Sequence, residues 1–257
     1  MMGSFGRVLA CRFSADKNAT TMMSHSETSP LSTLDLAGRI DHALLAPNLT
    51  KTELEEGCRF GRRIGVASVC VRPCDLRRAA EFLNGGRTAA GTVIGFPHGG
   101  ATRGVKVAET REAIEDVFSV LGNAGVPPEL DMVVNVGRVV SGDWGAVRDE
   151  VQAVFDAARM RGTLLKVIFE TGYLNESQIA RLCEICGEIG VDFVKTSTGF
   201  GPRGASAEDV RLMRAHCPDG VRIKASGGIR TLDDAETLIA AGADRLGTSH
   251  TAAIVGD

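Results

Sequence analysis

Eight short runs rich in β-branched residues recur along the chain, near residues 39–45, 67–71, 89–95, 130–135, 164–169, 192–197, 221–225 and 244–248. Between them lie segments with apolar residues at helical spacing, about 51–64, 75–84, 104–122, 145–160, 176–189, 206–216 and 231–241. Strands that alternate with helices imply parallel βαβ units, because a parallel neighbour is reached only through a crossover, almost always right-handed. Eight strands favour closure into a barrel over an open sheet, and no G-x-G-x-x-G opens a helix after a strand to hold a dinucleotide. The expected fold is α/β, a (β/α)8 TIM barrel over residues 36–257. Helix boundaries support it: Ser206 and Thr231 read as N-caps followed by first-turn acids, and Gly190 and Gly242 as helix ends.

Residues 1–35 are set apart by Ser, Thr and Met without periodicity, and by Arg7, Arg12 and Lys17 among few acids. They read as a disordered N-terminal extension; a transit peptide, or an upstream start with the true beginning near Met22 or Met23, are alternatives. The formal charge of −3 provides no basic field for nucleic acid or for an anionic membrane surface. No apolar run approaches the roughly 18 residues of a membrane span. Seven cysteines without a compact framework suit a reducing, cytoplasmic setting. Cys183 and Cys186 form a C-x-x-C, but within an amphipathic helix, where they are expected to be buried.

Charged residues inside the strand-like runs are few: Asp41 in the first, Asp131 in the fourth, Lys166 in the fifth, Lys195 in the sixth and Lys224 in the seventh. A barrel presents its chemistry at the C-terminal ends of its strands, so the last four should converge on one wall of the mouth. Lysine is seldom buried without a partner, and a buried ammonium must be paired or must lose its proton more readily. A second cation beside a lysine is one way to make an amine nucleophilic. Lys195 before Thr196-Ser197-Thr198-Gly199, and Lys224 before Ala225-Ser226-Gly227-Gly228, therefore point to Schiff-base chemistry. Arg222 is expected to face away from Lys224.

These residues, with the stretches around them, resemble the deoxyribose-phosphate aldolases from about Ile40 to His250. The matching stretches are Ile40-Asp41-His42, Val69-Cys70-Val71, Val93-Ile94-Gly95-Phe96-Pro97, Glu129-Leu130-Asp131-Met132-Val133, Leu165-Lys166-Val167-Ile168-Phe169-Glu170-Thr171-Gly172, Val194-Lys195-Thr196-Ser197-Thr198-Gly199-Phe200-Gly201, and Lys224-Ala225-Ser226-Gly227-Gly228-Ile229-Arg230-Thr231. The resemblance implies reversible cleavage of 2-deoxy-D-ribose 5-phosphate to D-glyceraldehyde 3-phosphate and acetaldehyde, within deoxyribose and deoxyribonucleotide catabolism. It implies Lys195 as the Schiff-base lysine, Lys224 as the lysine that lowers its proton affinity, and Asp131 as the proton relay. Lys166 and Asp41 would line the site and hold that network. Gly199, Gly201, Gly227, Gly228 and Ser249 would bind the phosphate, with Arg203 and Arg230 as additional charge. No metal or cofactor is implied, and a homodimer is the expectation from relatives.

An unperturbed lysine, with a pKa of about 10.4, is neutral in only about one molecule in 2,500 at pH 7. Desolvation in the barrel and repulsion from Lys224 are the means of raising that fraction. The iminium then accepts the electrons of the breaking carbon–carbon bond. The chain departs from the family in having Ala43 and Ala46 where threonine and lysine are common, and in ending at Asp257 without a tail that finishes in tyrosine. His98 reads as a loop residue and Cys70 as core, close enough to the site to meet an aldehyde. The competing readings are another Schiff-base barrel aldolase, a barrel that binds sugar phosphate without turnover, and a metal-dependent aldolase, against which His42, His98, His216 and His250 show no ligand spacing.

Overall fold

The computed structural model describes residues 33–257, and in it the eight apolar runs are strands hydrogen-bonded in chain order into a closed parallel barrel. The strands are β1 (Ile40–Leu44), β2 (Ser68–Val71), β3 (Ala89–Ile94), β4 (Glu129–Val133), β5 (Leu164–Ile168), β6 (Phe193–Lys195), β7 (Arg222–Ser226) and β8 (Arg245–Thr248). Closure is made by β1 against β8, with Asp41 opposite Gly247 and His42 opposite Thr248. The expected extension, residues 1–35, lies outside the described residues except for Thr33–Asp35, which open the first helix.

The helices are α1 (Thr33–Ala37), α2 (Lys51–Ile64), α3 (Leu76–Leu83), α4 (Arg103–Leu121), α5 (Val136–Val140), α6 (Trp144–Arg159), α7 (Glu176–Ile189), α8 (Ala207–His216), α9 (Leu232–Ala240) and α10 (Thr251–Val255). Their ends follow from local chemistry. The Ser206 hydroxyl accepts from the Asp209 N–H, and Thr231 forms a reciprocal capping box with Asp234. Gly190 ends α7 in the left-handed region, at φ 80. Short α1 and α5 were not expected; five residues carry too little periodicity to be read. Among the described residues no helix is long and apolar enough to cross a membrane.

Both faces of most strands are covered, as parallel strands require. In β4 every residue is buried, yet the two faces differ in kind: Leu130 and Met132 join the apolar core beneath the helices, while Glu129 and Asp131 enter ion pairs inside the barrel. Cys183 and Cys186 are buried in that apolar layer on α7, as expected.

His42 shows what this layer costs a titratable group. Its ring packs 5.4 Å from that of Phe60, and Nδ1 lies 2.9 Å from the Thr251 hydroxyl. Burial pulls its pKa down to about 4. An unfolded histidine takes a proton near pH 6.5, so the unfolded state gains affinity for protons first, and stability falls as pH drops from about 6.5 to 4. The histidine accounts for about 3 kcal/mol of that loss. Urea unfolding at pH 7 and pH 4.5 should show a smaller acid loss in His42→Phe than in the parent; equal losses would remove His42 from the account.

Candidate active site

Strand register decides which charges meet. Lys195, the last residue of β6, is directly opposite Lys224 on β7 and Ile168 on β5. One layer lower, Lys166 on β5 is opposite Asp131 on β4; on the other side, Lys224 is opposite Arg245 on β8. Because side chains alternate along a strand, residues two apart share the barrel interior. Phe193 therefore lies beneath Lys195, with the guanidinium of Arg222 stacked 4.0 Å over its ring and that of Arg245 at 5.3 Å. This corrects the expectation for Arg222: it shares the face of Lys224 and stacks under the floor of the site.

The four residues expected on one wall do converge, and Asp41 joins them from β1. One carboxylate oxygen, Asp131 Oδ2, lies 2.7 Å from Lys195 Nζ and 2.6 Å from Lys224 Nζ, while Oδ1 takes Lys166 Nζ at 3.0 Å. Lys224 also donates to Asp41 Oδ2. Lys166 reaches Asp41 at 3.0 Å and Glu129 at 2.6 Å. Arg245 Nη1 closes the network on Asp41 at 2.6 Å and Glu129 at 3.1 Å. Lys195, Lys224 and Asp131 are 3%, 1% and 0% exposed, so none of these charges is dissolved in bulk water.

The partners divide the lysines into two kinds. Burial opposes the charge on Lys224, but Asp131 and Asp41 outweigh it and raise its proton affinity. Lys166 is raised further, against the same burial, by Asp131, Asp41 and Glu129. Lys195 goes the other way: burial, with repulsion from Lys224, outweighs its single carboxylate and lowers its proton affinity. Burial likewise resists the charge on Asp131, and the three lysines together hold it well below the usual carboxylate range. The arrangement thus places one amine biased toward neutrality beside a committed carboxylate and a committed ammonium.

Above this network a cavity of about 520 Å³ opens at the strand ends. Lys195, Lys224 and Asp41 are in its floor, while Gly199, Gly227, Gly228 and Ser249 line its rim. Cys70 lines it too, its thiol pushed up to about 11 by burial and by Asp131, so it stands there protonated. Ala43 and Ala46 face the same space, as does Arg230. Arg203 does not: its guanidinium is held by Asp209 and the Thr171 carbonyl. Gly201 is also elsewhere. It lines a neighbouring cavity of about 260 Å³ with His98, Tyr173 and Phe200, and a Cβ there would sit 2.7 Å from the Glu170 carboxylate.

Sequence reading missed four contributors. Glu129 stands two residues before Asp131 and so had to share its face, a signal that was present in the alternation. Arg245, first in β8, looks like a surface residue until its partners are seen. Gly247 makes room for the arm of Lys224, since a Cβ would lie 3.0 Å from its Cε. Gly204 packs backbone to backbone on the rim: a Cβ there would meet the Gly227 carbonyl oxygen at 2.1 Å, while Gly227 itself is at φ 88.

Comparison with known proteins adds an independent line. The model of the DeoC/LacD family aldolases matches residues 38–254. The deoxyribose-phosphate aldolase of Rhodopirellula baltica is 44% identical over 223 residues, covering 87% of this chain and 89% of its own. That of Caldanaerobacter subterraneus subsp. tengcongensis is 43% identical over 225 residues, 87% of this chain and 94% of its own. Among solved structures, a deoxyribose phosphate aldolase from Aeropyrum pernix, described as tetrameric, superposes with a TM-score of 0.77 at 31% identity, covering 88% of this chain and 91% of that one.

Proposed function

The chain belongs to the DeoC/LacD aldolase family, and from that premise we propose that it cleaves 2-deoxy-D-ribose 5-phosphate reversibly through a Schiff base on Lys195. The observation that carries the reading is the contrast among three buried lysines around Asp131: Lys166 touches three carboxylates and Lys224 two, whereas Lys195 touches one, and burial biases it toward the free amine. A nucleophilic amine and a charged relay are what imine chemistry requires.

In this mechanism the Lys195 amine attacks the open-chain aldehyde carbon C1, and the carbinolamine loses water to give an iminium. A base removes the proton from the C3 hydroxyl, the C2–C3 bond breaks, and its electron pair flows into the iminium. D-Glyceraldehyde 3-phosphate departs and an enamine remains. Protonation at C2 and hydrolysis of the resulting imine release acetaldehyde and restore the amine. Asp131, 2.7 Å from Lys195 Nζ, is the proton acceptor nearest the reacting nitrogen, and Lys224 shares the same oxygen as the donor that resupplies it. Lys166 and Asp41 hold that pair in place.

The phosphate would be held at the rim by Gly199, Gly227, Gly228 and Ser249, which surround the cavity beyond Lys195. Barrels commonly bind phosphate after the seventh and eighth strands, and backbone N–H groups there can approach closely where no Cβ intervenes. Gly201 keeps a supporting role, leaving room for Glu170. A cytoplasmic location and a homodimer belong to the same proposal; the cysteine usage favours the first, and the tetramer of the A. pernix relative makes self-association of some order a reasonable target for sedimentation.

Borohydride trapping with 2-deoxyribose 5-phosphate, followed by peptide mapping, tests the reading. A two-carbon adduct on Lys195 is the expected product. A five-carbon adduct alone would favour binding without turnover, and no adduct on folded protein would overturn the Schiff base.

A further inference from the structure

Among the described residues, the ion-pair network inside the barrel holds three carboxylates, Asp41, Glu129 and Asp131, against four basic groups, Lys166, Lys195, Lys224 and Arg245. Three of the four bases are enough to neutralise the acids, so a fourth buried charge would be uncompensated, which is costly. Contacts identify the odd one. Lys166 touches three carboxylates, Lys224 two and Arg245 two, whereas Lys195 touches only Asp131, on an oxygen already taken by Lys224.

We propose that Arg245 and Glu129, neither of which lines the cavity, are positioning residues that set the charge of Lys195. Arg245 supplies the third compensating cation, which leaves no carboxylate to stabilise a proton on Lys195. Glu129 limits the positive excess, so that Lys195 can still take up the proton that each catalytic cycle returns. The inference rests on Lys195 being the nucleophile and adds what determines its protonation. A guanidinium suits the task because it keeps its proton at every working pH.

The other groups that face Lys195 leave this count unchanged. Asp131 and Glu129 come from β4, Lys166 from β5, Lys224 from β7, Arg245 from β8, Asp41 from β1 and the protonated Cys70 thiol from β2, while β3 holds no titratable side chain. Arg222 lies lower, its guanidinium stacked on the Phe193 ring. Because the groups are coupled, the titration belongs to the cluster, and the proton added or removed appears on its least compensated member.

The size of the effect follows from distance. Arg245 is two strands from Lys195, roughly 10 Å at a strand spacing of about 4.8 Å, where a unit charge at an effective dielectric of about 20 moves a titration by about one pH unit.

The test is the pH profile of borohydride trapping on Lys195 with 2-deoxyribose 5-phosphate, read by peptide mass. In Arg245→Met the midpoint should rise by about one pH unit, and in Glu129→Gln it should fall by a similar amount. The double variant restores the balance and should return the midpoint close to that of the parent, although both contacts are gone. Arg245→Lys should hold it near the parent's. Should Arg245→Met fold poorly, the downward shift in Glu129→Gln and the return in the double variant still decide the matter. A structural role would lower the trapping yield without moving the midpoint. Unmoved midpoints, or shifts in the same direction, overturn the inference while leaving the Schiff base intact. No adduct in the parent protein removes the Schiff-base reading, and the inference falls with it.

Discussion

Replacing Lys195 by alanine is expected to lower turnover of 2-deoxyribose 5-phosphate by about 10⁵-fold or more, the scale seen when a covalent nucleophile is removed. No neighbour can substitute. Lys224 shares a carboxylate oxygen with it but is held as an ammonium by Asp131 and Asp41, and Lys166 is more strongly held still. The barrel should survive the change, because the side chain removed is the least compensated base in the interior. Steady-state assays of the folded variant, with circular dichroism to verify the fold, check both halves. Near-parental turnover would place the nucleophile elsewhere.

Asp131→Asn should damage chemistry and folding together. The amide keeps the shape but loses the charge that faces Lys166 at 3.0 Å, Lys195 at 2.7 Å and Lys224 at 2.6 Å. Turnover is expected to fall about 10³–10⁴-fold, toward the upper end for loss of general acid–base catalysis. Stability should drop by about 3–5 kcal/mol, as it does when one partner of a buried ion pair is removed. The pH dependence has a definite sign. The proton affinity of Asp131 is depressed in the folded state, so its stabilisation is present above about pH 4 and lost as pH falls through the folded value. Lys166 and Lys224 are raised, so theirs is present below about pH 10.4 and lost as pH rises through their folded values. Between those limits the gap between parent and variant should be flat. Urea titrations at several pH values measure it, and an unchanged unfolding midpoint at pH 7 would contradict the ion-pair geometry.

The barrel could be read from the chain because its strands are short, β-branched and regularly spaced, and because helices such as α8 and α9 announce their starts at Ser206 and Thr231. The lysines could be read for a related reason: a charge in the middle of an apolar run has few explanations. Other features depend on distant partners that no local pattern shows. Lys106 lies on a long helix like any surface lysine, yet it is fully buried and paired with Glu150 at 2.9 Å. Arg245 has partners more than a hundred residues away. Gly204 looks like an ordinary turn residue until the Gly227 backbone is placed against it. Gly201 lines the neighbouring cavity, where a Cβ would meet the Glu170 carboxylate, another contact that no local pattern shows.

Many barrels of this design fill their centre with layers of branched apolar side chains, whereas here ion pairs occupy a large part of it. The atoms that fill the middle of the barrel are therefore also those proposed to perform its chemistry. Such a chain has little freedom to become sturdier by repacking its middle, because any gain in compactness there alters the surroundings of the proposed nucleophile. Its room for change lies in the outer ring of helices and at exposed positions such as Met160 and Leu34, where substitutions leave the charge count untouched. Heat tolerance, in a protein built this way, has to be added from the outside.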